Sequence, residues 1–220
     1  MFTKTISRLK CILPILCLAA SAPSQAATSA YTIGSGSWTA NAGTWGAVGF
    51  EFTVTTSIEI THLGVHDWFG NGLLTNAQVG IWGSTVGTLL ASVTVPAGSG
   101  ASLVEPVGLG AVDYLQALAT PVTLGPGTYV IANFQQGGTG TEVLGFGGPI
   151  TWAPGIGYVK GWAIGGSTFK DPRSAGGFSD TANMPSYIGP QMKFNVVPEP
   201  SSAALVLACA GLGCLRRRRA

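Results

Sequence analysis

Asp67-Trp68-Phe69-Gly70-Asn71-Gly72 is the segment of this chain best furnished for chemistry. Asp67, Asn71 and the carbonyls between them are oxygen ligands, the kind Ca2+ gathers in numbers. Asp67 and Asn71 are therefore the candidate calcium residues, and the neutral Asn71 weakens the charge such a site offers. The same residues also spell a tight turn. Asn71-Gly72 is a strong turn dipeptide, and Asx side chains close turns through backbone amides. The turn is the simpler reading. His62 and His66 stand four apart and could ligate Zn2+, but a zinc site needs a third protein ligand and none is evident.

Trp68 lies in the same polar loop. An exposed indole there could stack on a pyranose ring, which makes Trp68 and Asn71 the candidate ligand-binding residues of a carbohydrate-binding module. Trp38, Trp45, Trp82, Trp152 and Trp162 complete the set of six tryptophans. Trp82 alternates with apolar neighbours and reads as core. Hydrolysis finds less support. Glycosidases need two carboxylates about 5–9 Å apart, and no pair among the acids stands out. A serine hydrolase would have only His62 or His66 as its base, and no G-x-S-x-G elbow is present. Gly34-Ser35-Gly36 and Gly137-Gly138-x-Gly140 lack the Lys and the strand-to-helix setting of a phosphate loop. The chain reads as a non-enzyme, with a secreted hydrolase as the remotest alternative. Calcium is the one cofactor for which the residues argue.

The elements that must position these groups read as strands. Phe50, Phe52 and Val54 alternate with Glu51, Thr53 and Thr55, the period of a half-buried strand. Ile58 to Val65 is a second strand whose apolar phase shifts between Ile60 and Leu63, as a bulge produces. Ala77–Trp82, Leu89–Val95, Thr128–Phe134, Gly157–Ile164 and Gln191–Val197 follow. Val112–Leu118 is a strand with a helical turn as its rival. Gly125-Pro126-Gly127 is a turn. The stretch from Gly165 to Pro190, rich in Gly, Ser and Asp, has no clear element, and long irregular loops are often functional. Seven to nine short strands between turns predict an all-β fold, an antiparallel β-sandwich.

Composition agrees. Gly is 33 of 220 residues and charged residues are 9%, against a usual ~25%. That suits short strands and turns better than surface helices. Between Ala27 and Pro200 there are four basic and nine acidic residues, a net charge of −5. Such a body lacks the cationic footprint of nucleic-acid binding. All four cysteines, Cys11, Cys17, Cys209 and Cys214, lie outside it. Stability must come from a core, which roughly 170 residues can bury.

The two ends are addresses. Lys4, Arg8 and Lys10 precede the apolar Cys11–Ala20, and Ser24-Gln25-Ala26 is a small-x-small cleavage site. Residues 1–26 read as a secretory signal peptide for signal peptidase. At the other end Val197-Pro198-Glu199-Pro200 precedes the uncharged run Ser201–Leu215 and then Arg216, Arg217, Arg218 and Arg219. As a helix the run spans about 22 Å at ~1.5 Å per residue, short for a ~30 Å hydrocarbon core. The arginines should stay cytoplasmic, and the prolines keep the preceding stretch extended.

This tail resembles the PEP-CTERM sorting signal of bacterial exported proteins. The resemblance implies processing by an exosortase-type enzyme, a transient inner-membrane helix, and export to the cell surface or extracellular matrix of a Gram-negative bacterium, in a setting linked to exopolysaccharide. Residues 27–197 would be the β-sandwich and 198–220 the sorting signal. A second resemblance spans most of the body. Leu63-Gly64-Val65-x-Asp67, Asn71-Gly72-Leu73, Val79-Gly80-Ile81-Trp82, Leu89-Leu90-Ala91-Ser92-x-Thr94-Val95, Pro121-Val122-Thr123-Leu124 and Gly127-Thr128-Tyr129-Val130 look like an uncharacterised β-sandwich domain common in that group. It implies a jelly-roll-like fold and no settled activity. Asn71 and Gln78 depart from its usual Asp and His.

Overall fold

In the computed structural model, the described residues are 26–35, 46–108, 110–135, 149–180 and 187–198. The segment expected to be a signal peptide, up to Gln25, lies outside them, as do Trp38, Trp45, the Gly137–Gly140 stretch and the tail from Glu199 onward.

The strands are β1 (Thr28–Ser29), β2 (Tyr31–Ile33), β3 (Ala47–Val54), β4 (Ile58–Asp67), β5 (Ala77–Trp82), β6 (Leu89–Val95) and β7 (Leu103–Gly108). Then come β8 (Ala111–Leu124), β9 (Gly127–Gln135), β10 (Ile150–Trp152), β11 (Ile156–Ile164), β12 (Gly177–Ser179) and β13 (Pro190–Val196). They form a five-stranded sheet β1-β13-β4-β8-β7, a six-stranded sheet β12-β11-β3-β9-β5-β6 and the small ribbon β10-β2. Every strand pair is antiparallel. The described residues contain no helix, so none long and apolar enough to cross a membrane. The architecture is all-β and sandwich-like.

The alternation seen in sequence is the inner face. Phe50, Phe52 and Val54 of β3 meet Ile58, Ile60, Leu63 and Val65 of β4 and Met192 and Phe194 of β13 in one buried core. Burying each such side chain contributes about 1.5–3 kcal/mol. The expected bulge is present: β4 loses register against β8 between Ile60 and His62. It carries the apolar phase from Ile60 to Leu63, so the strand keeps one greasy face through Val65. Gly64 permits the closest strand approach there, because a Cβ on it would lie 2.2 Å from the Tyr114 carbonyl.

The strand expected over Val112–Leu118 is present, longer than expected: it is part of a 14-residue strand that also takes in Pro121–Leu124. Two other segments differ from the sequence reading. β7 was not expected, since Pro106 interrupts it, yet an edge strand tolerates a residue without an N–H. The loop from Gly165 to Pro190 contains β12 and a strap held down by Arg173. Phe169 of that strap packs on Trp82, ring centroids 5.1 Å apart. The Arg173 guanidinium donates to Gly83 O at 2.6 Å and to Ser84 O, while Asp171 Oδ2 accepts the Gly87 amide at 2.8 Å.

β1 lies against β13, Thr28 opposite Phe194 and Ser29 opposite Lys193. The body therefore begins and finishes at one place on one sheet.

Candidate functional site

β4 ends at Asp67, whose side chain turns inward and is 1% exposed. Its Oδ1 accepts the amides of Phe69 and Gly70, both at 3.0 Å, and its Oδ2 accepts the Gly72 amide at 2.8 Å. Three convergent donors need backbone that doubles back. Gly70 and Gly72 supply it with φ of 61° and 93°, a region that disfavours side chains. A bridge between Leu73 and Gly98 closes the far side. The carboxylate thus works as the clamp of the loop, as the turn reading holds. Asn71 is exposed and does not share in the clamp. Among the described residues no three His, Cys, Asp or Glu side chains gather as a metal site.

Trp68 is half-buried and tilted against the His66 ring, centroids 6.0 Å apart. The aromatic that the loop shows to water is Phe69, at 56% exposure. Other tryptophans are also engaged. Trp82 is buried under Phe169. Trp152 stacks on Tyr158 at 5.6 Å. Trp162 donates Nε1–H to Glu51 at 3.0 Å and carries the Lys160 ammonium 4.5 Å above its ring.

His62 and His66 follow the bulge on the same face of β4. Four residues at ~3.3 Å each put them about 13 Å apart, too far to share an ion. His62 bonds Thr61 Oγ1 through Nδ1 at 2.9 Å. Burial and the nearby Lys193 hold its pKa below the ordinary histidine value, with Glu105 opposing them. Lys193 and Glu105 form an ion pair beside it.

His66 belongs to a network that the sequence did not announce. Its Nδ1 lies 2.9 Å from Asp113 Oδ1, and both residues are 0% exposed. Register explains the meeting, since His66 and Asp113 are direct partners of β4 and β8. Gln191 of β13 joins them, donating Nε2–H to Asp113 Oδ2 at 3.2 Å and to the Tyr31 carbonyl at 3.1 Å. Its Oε1 accepts the amides of Ala30 and Met192. The Tyr31 hydroxyl donates to Pro190 O, and burial, with Asp113 nearby, pushes its pKa well above the ordinary value.

A carboxylate oxygen accepts, so in this contact His66 Nδ1–H donates to Asp113 Oδ1. His66 Nε2 is buried and has no hydrogen-bond partner among the described residues. The pair has the form of a base with its orienting carboxylate. Both side chains are fully buried, and among the described residues no nucleophile lies within hydrogen-bond reach of Nε2. What the arrangement does is lock β2, β4, β8 and β13 together through buried polar bonds.

Comparison of the chain with family models, with curated proteins and with solved structures finds no match in any of the three.

Proposed function

We propose that this protein is an exported, non-catalytic β-sandwich with a structural or adhesive role at the cell surface or in the extracellular polysaccharide matrix of a Gram-negative bacterium. The observation that carries this reading is the ordered tail: Val197-Pro198-Glu199-Pro200, an uncharged run, then Arg216 to Arg219. β13 stops at Val196, directly before that motif. Signal peptidase would cut after Ala26, just ahead of β1, and an exosortase-type enzyme would act at the tail. Neither cut touches a strand. Because Thr28 faces Phe194, both hydrophobic handles leave from one side of the body, which suits a domain held briefly at the inner membrane by either. Strands passing back and forth between the two sheets, β3 to β4 to β5 and β8 to β9, support a jelly-roll-like winding.

The test is processing in an exosortase-bearing Gram-negative host. The wild-type chain should shed its tail and reach the surface. Replacing Pro198 and Pro200 with Ala, or Arg216–Arg219 with Gln, should leave it uncut at the inner membrane. Normal processing of both variants would remove the sorting reading.

A second reading makes the 67–72 loop a glycan contact through Trp68 and Asn71, with extracellular polysaccharide as partner. Its support is the clamped loop that presents Phe69 and Asn71 to solvent. A glycan array decides it. Signal lost in both Phe69→Ala and Trp68→Ala upholds the contact, and an array blank with calcium present and absent discards it.

A further inference from the structure

We infer that β6 is a pairing edge for a second copy of this chain. A sheet edge is a row of unpaired amides and carbonyls, and proteins blunt such edges with brevity, charge or proline. Three of the four edges of the two large sheets are blunted. β1 has two residues and β12 has three. β7 carries Glu105 and Pro106. β6 has seven residues, Leu-Leu-Ala-Ser-Val-Thr-Val, with no charge, no proline and no glycine. Among the described residues its one strand neighbour is β5.

Charge selects the occupant. The body carries nine acids against four bases, so two copies repel over most of their surfaces. From Trp68 to Val104 there is no charged side chain at all. Val86, Leu89 and Leu90, at the start of β6 and in the turn before it, are 52%, 47% and 38% exposed. An antiparallel pair of β6 strands about a two-fold axis lays one uncharged strand against another, with Leu89 and Leu90 of each copy against the Thr94–Val95 end of its partner. It joins two six-stranded sheets into one of twelve. Strand addition of this kind draws affinity from main-chain bonds, and a two-fold closes after two copies. The inference does not depend on how the chain is exported.

The experiment is sedimentation of the full chain in density-matched detergent micelles. Wild type should hold two copies per particle. Ser92→Lys with Thr94→Lys, both on exposed positions of β6, should hold one, with circular dichroism and melting unchanged. Thr123→Lys, an exposed control on β8, should remain paired. Hydrogen exchange on wild type gives an independent reading: amides of 89–95 should slow as concentration rises, while those of β7 do not. One copy at every concentration overturns the proposal. So does a pair that survives in a folded lysine variant. Should that variant fail to fold, concentration-independent exchange at 89–95 overturns it.

Discussion

His66 Nδ1 and Asp113 Oδ1 meet 2.9 Å apart across the β4–β8 ladder, with neither side chain reaching water. Removing one partner of a buried polar pair leaves the other stranded. His66→Ala should therefore lower stability by about 3–5 kcal/mol. Asp113→Asn keeps an acceptor and a similar shape, and should lower it by about 1–3 kcal/mol. Urea unfolding reads both. A loss under ~0.5 kcal/mol in His66→Ala, the size of an ordinary surface change, would show that the pair is not a strut.

The Asp67 clamp predicts a separation of two effects. Asp67→Ala deletes the acceptor of three amides and should cost about 3 kcal/mol, within the range for bonds to a charged group. Calcium should leave the melting temperature of wild type unchanged, because the carboxylate lone pairs already face amides. A rise with calcium in wild type that vanishes in Asp67→Ala would instead make the loop an ion site by mass action.

The strap gives an acid-sensitive contact. Burial pushes the Asp171 carboxyl up, but the Arg173 side chain and the Gly87 and Arg173 amides outweigh it and hold the pKa below the ordinary 3.8. A folded pKa below the unfolded one means stability that is complete above the unfolded value and lost as pH falls through the folded one. Melting temperature should then drop more steeply in wild type than in Asp171→Asn as pH falls below about 4. At neutral pH, Arg173→Ala should cost about 3 kcal/mol, and proteolysis within residues 165–176 should accelerate.

Two glycines make a steric prediction. A Cβ on Gly49 would lie 1.9 Å from the Ile131 carbonyl, and one on Gly64 would lie 2.2 Å from that of Tyr114. Both contacts are with backbone, so neither yields by a rotamer change. Gly49→Ala and Gly64→Ala should each lose about 3 kcal/mol or more. Gly87→Ala meets nothing within 4 Å and suffers only from its φ of 82°, about 1 kcal/mol. Equal melting temperatures for the three would contradict the close strand approach.

What could be read from sequence was local. β3, β5 and β6 announce themselves because Phe50, Phe52 and Val54, Ala77, Val79 and Ile81, and Ala91, Val93 and Val95 place apolar residues toward the core at every second position. The β4 bulge shows because one residue of slip reverses the apolar phase. The Asp67 turn shows because clamp and amides lie within five residues. β7 hid behind Pro106. β1, β2, β10 and β12 are two or three residues long, too short for any period. The His66 site was illegible for another reason. Asp113 is 47 positions away, and Gln191 is 78 from Asp113. Only the strand order brings them together. The same holds for Arg173, which reaches back 90 residues to Gly83.

The juxtaposition of Thr28 and Phe194 has a consequence for topology as a cyclic object. A few residues joining Val197 to Ala27 would close the body into a ring without bending a strand. New ends could then open in the tight 83–88 connection or elsewhere, as permutation succeeds at exposed tips. To the folded body, where the polypeptide starts is a matter of indifference, and the sheets would assemble around any opening that spares the ladders.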